Sequence, residues 1–183
     1  MDGFPLVNDH PDVAGVLRHP ELLALLGPAL AAPFHDARVT AVCAPEARGP
    51  ILGALVAVEL GAGLVLVRKD QRNHPGADRW VESGPTWRGT TESFQMRSWD
   101  LGSDDRVLVV DDWITTGSSA RAVRDLTAAA GATYVGTSVL VNKADPATID
   151  DLAVRWLVTF AEIGARERSA VVDEPAGRRT PAR

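Results

Sequence analysis

A parallel α/β sheet covered by helices on both faces is the fold class this 183-residue sequence predicts, and three observations carry the prediction. Short runs rich in β-branched residues recur along the chain, helical patterns separate them, and the runs are almost continuously apolar, as strands buried on both faces are. A chain of this length with 45% hydrophobic residues can bury one such core and is too short for two full domains. One core implies one site, and in open sheets of this kind ligands bind beyond the carboxyl ends of the strands.

The elements are justified in turn. Residues 20–34, PELLALLGPALAAPF, set Leu22, Leu23, Leu25, Leu26 and Leu30 at helical spacing, which predicts an amphipathic helix interrupted or kinked near Pro28. A strand VTAVCA (39–44), a helix PILGALVAVELG (50–61) and a strand GLVLVRK (63–69) follow. Next come the strand RVLVVD (106–111), the helix SARAVRDLTAAAG (119–131), the strand TYVGTSVLV (133–141) and a last apolar run, VRWLVTF (154–160). Two stretches break the alternation. Residues 70–99 are polar and rich in Gly, Pro and Trp, long for a connection unless they form a lid or an extended hairpin, and they are read as a mobile hood over the site. From Gly164 to Arg183 the charges are mixed and no apolar face recurs, so residues 1–163 are expected to form the domain and 164–183 a disordered tail.

Bulk properties exclude several classes. A net charge of −5 and a pI near 5.3 argue against a nucleic-acid or anionic-membrane surface, which needs clustered Lys and Arg. Any phosphate bound here is expected to be small and held locally. The N-terminus has no basic patch followed by an apolar stretch, and no segment reaches the ~20 apolar residues of a membrane helix, so a cytoplasmic protein is expected. Cys43 stands alone in an apolar run and reads as core. His10, His19, His35 and His74 have no ligand spacing with one another or with Cys43, and Gly61-Ala62-Gly63 precedes a strand instead of opening a helix, so neither zinc nor a dinucleotide is expected.

The most informative segment is VLVVDDWITTGSSARAV, residues 107–123. An apolar strand delivers Asp111 and Asp112, a Thr-Thr-Gly-Ser-Ser turn follows, and a helix starts at once. A helix N-terminus offers unpaired N–H groups and a favourable dipole to an anion, and Thr115, Thr116, Ser118 and Ser119 add hydroxyl donors. Gly117 can adopt positive φ and bring the backbone close to a ligand. Two adjacent carboxylates repel unless a cation or hydrogen donors lie between them, and a ribose diol with Mg²⁺ meets that need. The plainer account of the same residues is a strand-to-helix turn whose Ser and Thr cap the helix. No G-x-x-x-x-G-K-[ST] loop occurs, which disfavours ATP or GTP as the ligand.

Taken whole, the segment resembles the 5-phosphoribosyl-1-pyrophosphate signature of type I phosphoribosyltransferases. The resemblance implies that Asp111 and Asp112 hold the ribose hydroxyls and thereby contact Mg²⁺ only indirectly, through ribose and pyrophosphate. It also implies that Thr115, Thr116, Gly117, Ser118 and Ser119 wrap the 5′-phosphate, and that Ile114 lies against the incoming base. Glu46-Ala47-Arg48-Gly49 resembles the pyrophosphate loop of adenine phosphoribosyltransferases; an Arg guanidinium there can bind the leaving diphosphate at two points, although a surface Arg in a turn is the alternative. Arg68 and Lys69 resemble the Arg-Lys that ends the next strand of those enzymes, and imply contacts to pyrophosphate in the same site or across a dimer interface. Together these matches span residues 36–160 and imply the type I phosphoribosyltransferase fold and transfer of phosphoribosyl to a purine-like nucleobase in salvage, with Asp111, Asp112 and Arg48 as catalytic residues; a homodimer is expected because dimers are the commonest soluble oligomers.

The sequence also departs from the family. Where adenine enzymes carry an acid and a Tyr before a hood Gly, this chain has Trp87-Arg88-Gly89, with Glu92 following only after Thr90 and Thr91. The aromatic and Arg of their N-terminal base-recognition stretch are also missing. Lys143, after the strand 133–141, sits where 6-oxopurine enzymes place a Lys that donates to the base carbonyl, with a solvated Lys as the alternative. Trp80, Trp87 and Trp99 suit base stacking or anchoring of the hood, whereas Trp156 reads as core. A regulatory protein that binds the same donor without turnover is the competing class; the roughly 35 residues before the first core strand hold no evident helix-turn-helix to serve as its output.

Overall fold

A computed structural model of the chain describes residues 6–7, 10–11, 13–69 and 74–163; the expected tail lies outside them, as do hood residues 70–73. The elements run β1 (Leu6–Val7), β2 (His10–Pro11), α1 (Val13–Leu17), α2 (Pro20–Ala31), a 3-10 turn (Ala32–Ala37), β3 (Ala41–Pro45), α3 (Gly49–Leu60) and β4 (Gly63–Lys69). They continue with β5 (Arg79–Glu82), β6 (Ser93–Met96), a 3-10 turn (Ser98–Asp100), β7 (Arg106–Ile114), α4 (Ser118–Ala129), β8 (Thr133–Asn142), α5 (Pro146–Asp151) and β9 (Val154–Thr159). Strands β1 and β2 form a small hairpin, and the other seven form one sheet in the order β5-β6-β4-β3-β7-β8-β9. The pairs β3–β4, β3–β7, β7–β8 and β8–β9 are parallel, as the continuous apolar runs predict.

Alternation along β7 divides the core between the two faces. Val107 and Val109 join Cys43, Val65, Val67, Val123 and Leu126 beneath α4. Leu108 and Val110 join Leu26, Leu30, Leu52, Val56 and Leu140 beneath α2 and α3. Cys43 is fully buried, and burial pushes its thiol up to about 12, so it is core as the sequence indicates. Among the described residues, no helix is long and apolar enough to cross a membrane.

Three features differ from the sequence reading, and a fourth, the hood, takes the hairpin form that was one of its two alternatives. Helix α2 runs through Pro28 and gives way to 3-10 geometry only after Ala31. The missing N–H removes one helical bond, and burial of Leu26 and Leu30 holds the helix past it. The hood contains a hairpin, β5–β6, whose second strand pairs antiparallel with the end of β4 through Arg68↔Gln95 and Lys69↔Phe94. Helix α5 is additional, although its start signal is explicit: Asp145 accepts from the Thr148 N–H at 2.9 Å and Pro146 occupies the first turn. Trp156 is exposed at 38%, not core, because β9 is the sheet's edge strand.

Candidate functional site

The acidic pair and the hydroxyl-rich turn leave β7 toward α4 at the carboxyl end of the central strands, where the topology places a ligand. Gly117 is the residue before α4, with φ of 73°. A Cβ there would lie 2.7 Å from Thr148 Cγ2 and 2.8 Å from Leu152 Cδ1, so both backbone conformation and space require glycine. Gly117, the N-cap of α4, has no side chain to cap the helix, and the Ser118 N–H makes only a long bond to Thr116 Oγ1 at 3.4 Å, which an anion could displace. A cavity of about 40 Å³ opens here, walled by Asp111, Thr115, Gly117, Ser118 and Ser119. It exceeds the ~10–15 Å³ that a single water needs.

Opposite the acids stands the turn between β3 and α3. Arg48 Nε donates to Asp112 Oδ2, and the Glu46–Ala47 peptide is cis. Gly49 packs against β7 so closely that a Cβ would meet the Val110 carbonyl at 3.1 Å and Asp111 Oδ1 at 3.2 Å. Thus the predicted pyrophosphate loop and the predicted ribose clamp, 64 positions apart, are in direct contact. Glu46 forms an ion pair with Arg68, Oε1 to Nε 2.8 Å, and accepts a hydrogen bond from the Lys69 N–H at 3.3 Å, which brings the end of β4 to the same loop. Lys69 Nζ lies 2.8 Å from Glu92 of the hood, so the hood acid that follows Trp87-Arg88-Gly89 is tied to the loop's cationic side.

The two aspartates differ. Asp112 has the Arg48 guanidinium as its counter-ion. Asp111 receives the Asp112 N–H at 2.8 Å, yet burial, followed by the adjacent Asp112 carboxylate, pushes its carboxyl well above the ordinary range.

Toward β8 and β9 the residues are aromatic. Trp113 and Phe160 are 5.8 Å apart between ring centroids, and Lys143 Nζ sits 4.4 Å over the Phe160 ring. The Lys143 N–H donates to the Ile114 carbonyl at 2.9 Å, which places this cluster beside the acidic strand. Ile114 itself is 3% exposed and packs in the core beneath α4, so any base meets it only at the cavity wall. Trp113 and Phe160 went unremarked in the sequence because each reads as a strand's apolar residue, and only the β7-β8-β9 order makes them neighbours. In the hood, Thr116 Oγ1 reaches the Pro85 carbonyl at 3.3 Å. Trp80, Trp87 and Trp99 are all exposed, and Trp99 lies against Gly76, where a Cβ would meet its ring at 2.8 Å.

Comparison with known proteins agrees with this geometry. A phosphoribosyl transferase domain model matches residues 16–160. An adenine phosphoribosyltransferase of Thermobifida fusca is 40% identical over 131 residues, covering 72% of this chain and 73% of that protein. A xanthine phosphoribosyltransferase of Lactobacillus delbrueckii subsp. bulgaricus is 33% identical over 147 residues, 78% of each. Among solved structures, the adenine phosphoribosyltransferase of Rhodothermus marinus aligns with a TM-score of 0.71 at 30% identity, covering 87% of this chain and 92% of that one.

Proposed function

The chain belongs to the phosphoribosyl transferase domain family, and on that premise we propose that this enzyme transfers phosphoribosyl from 5-phosphoribosyl-1-pyrophosphate to a purine base and releases pyrophosphate. The observation that carries the reading is the contact of Arg48 with Asp112, beside a helix N-terminus open to an anion. On this reading Arg48 is the diphosphate-binding cation, Asp112 a ribose-binding carboxylate and the turn before α4 the phosphate cradle, in the order in which the donor carries those groups. In the reaction, Arg48 neutralises charge growing on the departing diphosphate, the cradle holds the 5′-phosphate still, and the hood hairpin limits access of water, a competing nucleophile.

Magnesium fits the donor set in one way. Asp112 is engaged by Arg48, Asp111 is half-buried with its carboxyl held well above the ordinary range, and among the described residues no three His, Cys, Asp or Glu side chains gather to hold a metal. Such an ion would be carried by oxygens of the donor, with the acidic pair acting through the ribose, and would supply charge neutralisation at the diphosphate. The single buried Cys43 and the absence of a membrane-spanning helix among the described residues are compatible with the cytoplasmic setting we propose.

For the acceptor, Lys143 over Phe160 at the edge of the acidic strand favours a 6-oxopurine, because adenine's exocyclic amine cannot accept its hydrogen bond. In a panel of purines with the donor and Mg²⁺, hypoxanthine, guanine or xanthine is expected to be converted faster than adenine. Lys143→Ala should then cost about 1–3 kcal/mol on those bases alone. Equal rates for mutant and wild type on every base would remove Lys143 from the site.

A homodimer belongs to the same proposal. Apart from Glu59, α3 carries only apolar residues and glycine, and Ile51 and Val58 are exposed on it at 46% and 83%. Leu64 and Leu66 on adjoining β4 extend that surface. A helix apolar all round is normally buried all round, and a second copy would supply the cover. In sedimentation, Val58→Asp is expected to shift the protein from dimer to monomer; a monomeric wild type would refute this part.

A further inference from the structure

Behind the phosphate cradle lies a clasp that binds no ligand itself. Arg121, in the first turn of α4, donates through Nη1 to the Thr116 carbonyl at 2.7 Å, through Nη2 to Thr148 Oγ1 at 3.2 Å and through Nε to Asp151 Oδ2 at 2.8 Å. Arg124 holds the other oxygen of the same carboxylate at 2.8 Å. Asp145 fixes Thr148 in turn, accepting from its N–H at 2.9 Å and its hydroxyl at 3.1 Å. One guanidinium therefore ties the cradle's backbone to both ends of α5, and α5 presses Thr148 and Leu152 against Gly117.

Arg121 is not among the residues that line the cavity, so its effect must pass through the backbone. The Thr116–Gly117 peptide is planar and trans, so its carbonyl and its N–H point in opposite directions. Holding the carbonyl on Arg121 turns the Gly117 N–H away from the clasp, and Gly117 is one of the residues that line the cavity. Without that hold the peptide could rotate and present a carbonyl oxygen to an anion, replacing attraction by repulsion.

We propose that Arg121, set by Asp151 and Thr148, is a positioning residue for the donor's 5′-phosphate and has no part in binding the pyrophosphate. The inference rests on the donor assignment made above. It differs from a general structural role because the clasp touches one half of the site and the Arg48 loop stands on β3 and α3, away from it.

Purified full-length Arg121→Gln and Asp151→Asn are titrated separately with ribose 5-phosphate and with pyrophosphate, and their steady-state kinetics are recorded. Ribose 5-phosphate should bind roughly tenfold more weakly or worse to Arg121→Gln, with pyrophosphate affinity unchanged, and the KM for the donor should rise more than kcat falls. Asp151→Asn removes one bond of the clasp and should give a smaller change in the same direction; it serves alone if Arg121→Gln does not fold. Parallel loss of both ligands, or wild-type affinity for both, would overturn the clasp. A wild type that binds neither ligand would instead overturn the donor assignment on which it rests.

Discussion

Arg48→Ala is expected to lower turnover by about 10²–10³-fold, the range seen when one preorganised donor to developing negative charge is removed. Donor affinity should fall less, because the diphosphate carries its greatest charge as the bond to the sugar breaks. The structure adds a consequence for stability. Arg48 is the counter-ion of Asp112, whose side chain is only 10% exposed. Truncation leaves that carboxylate with little solvent and no partner, so the fold should also lose about 1–3 kcal/mol. Single-turnover kinetics and chemical denaturation of the same variant measure the two losses. Unchanged turnover with reduced stability would make Arg48 a structural partner of Asp112 and nothing more.

The second large effect is expected from Asp111→Asn combined with Asp112→Asn. Two charge-assisted hydrogen bonds to the ribose hydroxyls, at about 1.5–3 kcal/mol each, correspond to a loss on the order of 10²–10⁴-fold in turnover. Wild-type rates in the double mutant would reduce the pair to a turn. Asp111 alone should behave differently in stability. Burial raises its folded pKa above the unfolded value, so its stabilising contribution is complete below the ordinary carboxylate range and is lost as pH rises through the raised value. Asp111→Asn, which removes the charge but keeps the shape, should therefore flatten the decline of Tm between acid and neutral pH while lowering turnover by less than the double mutant does. A decline as steep as that of wild type would mean that Asp111 is not the buried acid responsible.

The parts of the site that could be read from sequence are those written contiguously. Residues 107–123 hold strand, acids, turn and helix start in one stretch, and each has a local chemical reason to be there. Arg68 could be placed because it ends an apolar run, and Arg48 because the four contiguous residues Glu46-Ala47-Arg48-Gly49 resemble a known pyrophosphate loop. What remained hidden depends on distance in the chain. Nothing local indicates that Asp112 is the partner of Arg48, that Glu46 takes Arg68, or that Lys69 reaches Glu92. The clasp joins Arg121 to residues 27 and 30 positions on, through a helix of six residues that is too short to show a period. Trp156 was misread because its run is apolar, and only the strand order shows that β9 has no neighbour on its outer edge.

The central claim is that one site holds both phosphate ends of 5-phosphoribosyl-1-pyrophosphate, and calorimetric titration of that donor in the presence of Mg²⁺ tests it most directly. The expected result is saturable binding at one site per chain, weakened by Arg48→Ala and competed by pyrophosphate and by ribose 5-phosphate alike. Absence of binding with the metal present, or binding that neither fragment displaces, would contradict it.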